Sequence, residues 1–225
     1  MIRLPARFHS SKPNPAPWLA AFALLLLLGA CASAPGLPET TYYRLPDAAP
    51  VQRLPAPLIE LPITVEPFSA DGLYSDRALI YSPDADGGRL RTYHYQLWID
   101  PPVRLLQRRL LGSLRELGIT RVVADRLPAQ MDALQISGRI AQLERVDTGD
   151  GWQVAVALVL RADPSGGGRP WVIGRYQRQL PVQGNTVADS VKTIGLALDQ
   201  IQTEFFQDLV ERASQPATDT EPKIR

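Results

Sequence analysis

Between residues 58 and 213 the apolar positions switch repeatedly between a period of two and a period of three to four. Period two marks half-buried strands, and the longer period marks one face of a helix. Leu58–Val65 reads as a short strand, with Pro62 pushing it towards an edge or a bulge. Arg77–Tyr81 and Leu90–Leu97 flank the turn-rich Ser82-Pro83-Asp84-Ala85-Asp86-Gly87-Gly88 and predict a hairpin. Pro101-Pro102 opens a helix, for which Asp100 is the expected N-cap. Val103, Leu106, Leu110, Leu114 and Leu117 line one of its faces, and Gly118 stops it.

An antiparallel meander is expected next. Leu134, Ile136 and Ile140 mark its first strand, with Gly138 as a candidate bulge. Trp152, Val154, Val156, Leu158 and Leu160 alternate along the second, and Trp171 to Leu180 is the third. Thr148-Gly149-Asp150-Gly151 and Pro164-Ser165-Gly166-Gly167-Gly168 supply the turns. From about Ala188 to Ala213 a long helix carries the stripe Val191, Ile194, Leu198, Ile201, Phe205 and Leu209. The fold class predicted is α+β: a mixed or antiparallel sheet of about five to six strands, with two amphipathic helices on one face.

The flanks carry no such periodicity. Residues 31–57 hold Pro35, Pro38, Pro46, Pro50, Pro55 and Pro57 and read as an extended tether, interrupted by Tyr42-Tyr43-Arg44-Leu45, a candidate for docking on the domain or the membrane surface. Residues 214–225 read as a frayed, disordered tail. No repeat of 20–50 residues is visible, so 58–213 is expected to be a single domain.

The first thirty residues have the parts of a secretory leader. Arg3, Arg7 and Lys12 form a basic start without an acidic residue, and Trp18 to Leu28 is an unbroken apolar run. Gly29 and Ala30 are small, and Cys31 is the only cysteine in the chain. The alternative, a permanent span, has only the 17 uncharged residues from Trp18 to Ala34, of which the last six are barely apolar. Leu28-Gly29-Ala30-Cys31 resembles the lipobox of bacterial lipoproteins. That resemblance implies cleavage after Ala30 and a diacylglyceryl thioether plus an N-acyl chain on Cys31. Two or more chains hold firmly where one binds reversibly, since each buried CH₂ contributes about 0.8 kcal/mol. Ala32 stands where an aspartate would signal inner-membrane retention, so the periplasmic face of the outer membrane is the expected address.

Charge and composition remove whole classes of function. The full chain has 24 basic and 23 acidic residues, and the leader takes away three basic ones and no acidic one. The remainder is near neutral and lacks a nucleic-acid footprint, so no nucleic acid is expected as a partner. With Cys31 acylated no disulfide can form, and the core must rest on ordinary burial. Once His9 leaves with the leader, His94 is the one histidine, which argues against histidine-rich zinc sites and a Cys-His pair. No Gly-x-Ser-x-Gly elbow presents a serine. Asp84-x-Asp86-Gly87 lacks the other ligands of a calcium loop and reads as a solvated turn. Gly166-Gly167-Gly168 has no phosphate-loop lysine. Asp71 and Asp76 read as solvated loop carboxylates rather than an acid–base pair. No enzymatic activity, catalytic residue, metal or cofactor is expected apart from the covalent lipid.

Two groups remain as candidate partner contacts. In a regular strand Tyr93 and Tyr95 share one face, with His94, Gln96 and Trp98 on the other. Core packing is the expected role for this band, and contact with a partner or lipid is the alternative. On the first helix Arg104, Arg108, Arg109 and Arg115 fall largely off the apolar stripe. A solvated face is expected there; contact with an acidic partner or anionic head groups is the alternative, with Arg104 and Arg108 as the candidate residues.

The order of these features resembles a known family. The lipobox is followed by Tyr42-Tyr43-Arg44-Leu45-Pro46, then by Leu73-Tyr74-Ser75-Asp76-Arg77-Ala78-Leu79-Ile80-Tyr81 and a charged turn. Tyr93-His94-Tyr95-Gln96-Leu97-Trp98 then leads into Ile99-Asp100-Pro101-Pro102. This order is similar to that of PqiC-type auxiliary lipoproteins of ABC transport systems, over most of residues 31–213. The resemblance implies an outer-membrane accessory subunit without chemistry of its own. Its implied partner is an MCE-domain envelope protein that moves lipids or other hydrophobic molecules across the envelope, and its implied anchor is the membrane itself. A homo-oligomer around such a conduit is compatible with the chain. The alternative function is an assembly factor supporting an outer-membrane β-barrel protein.

Overall fold

Three long strands form the centre of the sheet: β7 (Leu134–Asp147), β8 (Trp152–Pro164) and β9 (Val172–Pro181). They pair antiparallel, with Asp147 opposite Trp152 across the first turn and Ala162 opposite Val172 across the second. The computed structural model describes residues 38–128 and 130–215, and the backbone alone of 223–224. Thr40–Arg225 forms one compact unit; Met1–Glu39 is a second and lies almost wholly outside the described residues. The leader and Cys31 are among the undescribed positions.

In chain order the earlier elements are β1 (Thr41–Tyr43), β2 (Ile63–Val65), β3 (Ser69–Ala70), a 3₁₀ turn (Gly72–Ser75), β4 (Ala78–Ser82) and β5 (Arg91–Trp98). Helix α1 (Pro102–Leu117) and β6 (Val123–Ala124) follow, and α2 (Val187–Ser214) comes after the meander. The last strand is β10 (Lys223–Ile224). The outer edge of β7 takes β2, β3 and β4 in succession, all parallel to it. Beyond β2 lies β6, and beyond β4 lie β5 and β1. The result is α+β, a mixed sheet curled into a half-barrel with two helices. The predicted tail contributes β10, which pairs parallel with Val172 and Ile173 of β9.

Apart from Val103, which is only partly buried, both apolar stripes are buried as their spacing predicts. Leu106, Leu110, Leu114 and Leu117 of α1 and Ile194, Leu198, Ile201, Phe205 and Leu209 of α2 are each at most 5% exposed. Gly118 ends α1 at φ +68°, in the left-handed region that glycine adopts at little cost. Thr186 and Asp189 close a reciprocal capping box at the start of α2. Asp100 does not cap α1. The N-cap position is Pro101, without a side-chain bond, and Asp100 instead pairs with Arg108 at 2.6 Å.

Two local departures reshape the sheet. The bulge in β7 lies at Ala141, between Ile140 and Gln142, and not at Gly138. A Cβ on Gly138 would sit 2.4 Å from the Phe68 ring, so this glycine makes room for an aromatic side chain. In β5 the pairing jumps from Thr92 opposite Ile80 to Leu97 opposite Ala78, which accommodates three extra residues. Simple alternation therefore breaks between Tyr93 and Leu97.

The expected tether is the largest correction. From Thr40 onward it is laid onto the domain as a strap. Its β1 segment pairs with β5, and Tyr43, Leu45, Val51 and Leu54 pack against the core. The amide of Leu54 donates to the Leu117 carbonyl at 2.9 Å, and those of Leu58 and Ile59 donate to Ile119 at 3.0 Å. Prolines suit such a strap, because they need no ladder partner and are pre-set to extended backbone.

Candidate functional site

The strap is held by a buried arginine at the middle of α1. Arg109 is 8% exposed and ion-pairs with Asp199 of α2 at 2.6 Å. Its guanidinium also donates to the carbonyls of Pro46 and, at 3.3 Å, Gly195. Asp199 accepts the Ala49 amide at 2.9 Å. One charge pair thus ties together the strap, α1 and α2. Gly195 has a structural role here, since a Cβ would lie 3.1 Å from Pro46. Burial pulls the Arg109 pKa below its ordinary value, and Asp199 opposes that shift. A solvated face was the expected setting for this arginine. Its place three residues after Leu106 and one before Leu110 puts it on the margin of the apolar stripe.

A second buried arginine sits at the bulged end of β7. The extra residue at Ala141 transfers the inward face from even to odd positions, so that Arg145 stands opposite Val154. Arg145 is 3% exposed, and its guanidinium carbon lies 3.6 Å from the centre of the Trp152 ring. It donates to the Tyr93 hydroxyl at 3.2 Å and to the Asn185 carbonyl at 3.0 Å. Tyr81 packs on Tyr93 with ring centres 4.5 Å apart and meets Trp152 edge-on. Burial lowers the Arg145 pKa, while Tyr93 and, at longer range, Asp147 and Tyr43 raise it. Burial is also what raises the Tyr93 hydroxyl pKa, against the pull of Arg145.

The displaced residue of that parity switch is Glu144, 2% exposed on the opposite face. The Tyr74 hydroxyl donates to it, and the Gln142 amide donates at 2.7 Å. Burial followed by this bond pushes the Tyr74 hydroxyl pKa far above the usual phenol value.

The candidate contacts of the sequence are therefore not brought together as one site. Tyr93 is turned inward onto Arg145. Tyr95 is half-buried, with its ring 6.4 Å from that of the exposed His94. Arg104 and Arg108 lie exposed on α1, Arg108 in its pair with Asp100. Asp71 pairs with Arg139 rather than with Asp76, and Asp84 with Arg89 at 2.5 Å. Among the described residues no group of three or more His, Cys, Asp or Glu could hold a metal ion. No helix among them is long and apolar enough to cross a membrane.

The sequence pattern of the ABC-type transport auxiliary lipoprotein component family matches residues 43–205. The match begins at the last residue of β1 and ends within α2, so it takes in most of the strap, strands β2 to β9, α1 and the greater part of α2. The chain belongs to this family. The fold agrees: a Xanthomonas campestris protein assigned to the family of unknown function DUF330 superposes with a TM-score of 0.66 at 19% identity. That alignment covers 78% of this chain and 98% of the other. A second solved structure, of an uncharacterized protein, gives 0.60 at 17% identity over 76% and 99% of the two chains. No curated protein matches significantly. Membership in the family implies a membrane-anchored envelope protein with an accessory role in ABC transport.

Proposed function

We propose that this auxiliary lipoprotein is acylated on Cys31, held at the periplasmic face of the outer membrane, and serves an MCE-type ABC system moving lipids or other hydrophobic molecules. It works by contact rather than by chemistry. The observation that carries this reading is the order of parts: a lipobox, eight residues, and then a folded unit matched by the family pattern almost from its first strand. The strap supports the same view. A domain that binds its own leading segment through Arg109 and Asp199 shortens the stretch of chain between its folded unit and Cys31.

Crosslinking in intact cells, followed by mass spectrometry of the purified lipoprotein, tests the partner. An MCE-domain protein is the expected capture. Recovery of bulk porins alone would sink the reading, and recovery of one specific barrel protein would favour the assembly-factor alternative. Replacement of Cys31 by Ser is expected to leave the fold intact and abolish function in cells.

A further inference from the structure

A concave surface at the far end of α1 is lined by Arg53, Arg115 and Arg121 and by no carboxylate. Its volume is about 580 Å³, and Pro55, Pro57 and Val122 supply its apolar wall. Val122 and the neighbouring Leu58 are 48% and 41% exposed, so the rim also offers apolar surface. The three arginines contrast with Arg89, Arg108, Arg109, Arg139, Arg161 and Arg178, each of which has a carboxylate partner. Arg115 spends one N–H on the Val123 carbonyl at 3.0 Å, and Arg53 lies against Gly118.

Cations beside a helix C-terminus have an ordinary explanation, because they complement the helix dipole. Here much of that demand is already met by backbone. Leu114 accepts from Gly118, Leu117 from Leu54, and Ile119 from Leu58 and Ile59. The guanidiniums are left with free donors facing solvent across a shared hollow. Guanidinium binds phosphate oxygens in a planar fork, and an apolar shoulder suits the glycerol and first methylenes beside such a phosphate.

Distance makes a lipid the occupant. Because the strap is docked from Thr40, eight residues separate it from Cys31, and these nine Cα steps span at most about 30 Å. The hollow lies about 24 Å from the start of α1, one helix length of 16 residues at 1.5 Å each. The maximum span of the link exceeds this offset, which permits the hollow to reach the headgroups. We infer that Arg53, Arg115 and Arg121 form a binding site for the phosphate of an anionic phospholipid headgroup in the membrane that carries the anchor. This rests on acylation at Cys31, which the intact mass of the purified protein reads separately.

The test uses the full chain in a neutral detergent, titrated calorimetrically with dihexanoyl phosphatidylglycerol below its micelle concentration. Saturable binding is expected, weakening steeply with salt. Changing Arg53→Gln, Arg115→Gln and Arg121→Gln together should weaken it on the order of a hundredfold, from about fivefold per basic residue at an anionic surface. The control Arg91→Gln, Arg169→Gln and Arg175→Gln removes equal charge elsewhere and should change it less than threefold. Equal losses in the two triples would overturn a localised site. Inorganic phosphate binding as tightly as the lipid would overturn the headgroup assignment, and absence of saturable binding would overturn the site altogether. If the mass shows no acyl chains while binding follows the arginines, the anchor reading fails and the site stands.

Discussion

Arg109 and Arg145 are both nearly sealed from water, yet the fold neutralises them by opposite means. Arg109 faces a carboxylate and a carbonyl of α2 and a carbonyl of the strap. Arg145 is held by the face of an indole, a phenol oxygen and one carbonyl, with no carboxylate in contact. The difference shows what each is for. A full ion pair suits a junction, where one bond network must fix the strap to both helices. An aromatic cage suits a cation inside one sheet, whose strands already hold its partners in place. Burying a charge is costly in both settings, so the two sites should respond differently when a partner is removed.

The largest effect is expected at the junction. Asp199→Ala leaves the Arg109 guanidinium buried without its counter-charge and should cost about 3–5 kcal/mol. For a domain of this size that lowers Tm by roughly 6–20 °C in a thermal melt. Faster limited proteolysis between Pro46 and Leu54 should accompany it, because the strap loses its clasp. The complementary Arg109→Met should cost less, since Asp199 is 22% exposed at its side chain and can be hydrated. Equal costs for the two changes would mean that the junction is held by packing rather than by charge.

At the cage the penalties should be smaller and spread over several partners. Trp152→Leu keeps apolar bulk but removes the ring face, and should cost about 2 kcal/mol, the scale of a desolvated cation–π contact. Tyr93→Phe deletes one hydroxyl acceptor and should cost about 1 kcal/mol. Urea titration of both single variants and the double variant would measure their coupling. Strict additivity would show that Trp152 and Tyr93 do not act on one shared cation.

The two arginines also mark where the sequence stopped being readable. Both helices and the meander were legible because their apolar spacing is local and regular. The strap was not, since six prolines across residues 31–57 read as a free chain. Its attachment comes from scattered side chains such as Leu45, Val51 and Leu54, whose partners lie far along the sequence. Parallel pairing of β2, β3 and β4 along β7 was hidden for the same reason. Arg145 was hidden by parity: without the bulge at Ala141, Glu144 would take the inward face. Nothing in Ile140-Ala141-Gln142 announces that extra residue. A lipobox is a linear pattern, whereas the arginine sites depend on tertiary geometry.

The smallest expected effect bears on the carbonyl that Arg145 uses. Asn185 immediately precedes the Thr186–Asp189 capping box, so the box steadies one wall of the cage. The Thr186 hydroxyl, then the Thr186 amide, hold the Asp189 pKa below its ordinary 3.8. A carboxyl depressed on folding stabilises the native state above its unfolded pKa. That contribution is lost as pH falls through the lower folded value. Thr186→Ala removes the largest cause of the depression along with one capping bond. At neutral pH it should cost about 1 kcal/mol, typical of a lost N-cap. Below the folded pKa of Asp189 the difference between wild type and variant should shrink, because the protonated carboxyl no longer serves the box. Melting curves from pH 7 down to pH 2 would show this convergence. A difference that stays constant over that range would place the value of Thr186 in backbone geometry alone, and would detach Asn185 and the Arg145 cage from any acid sensitivity at the start of α2.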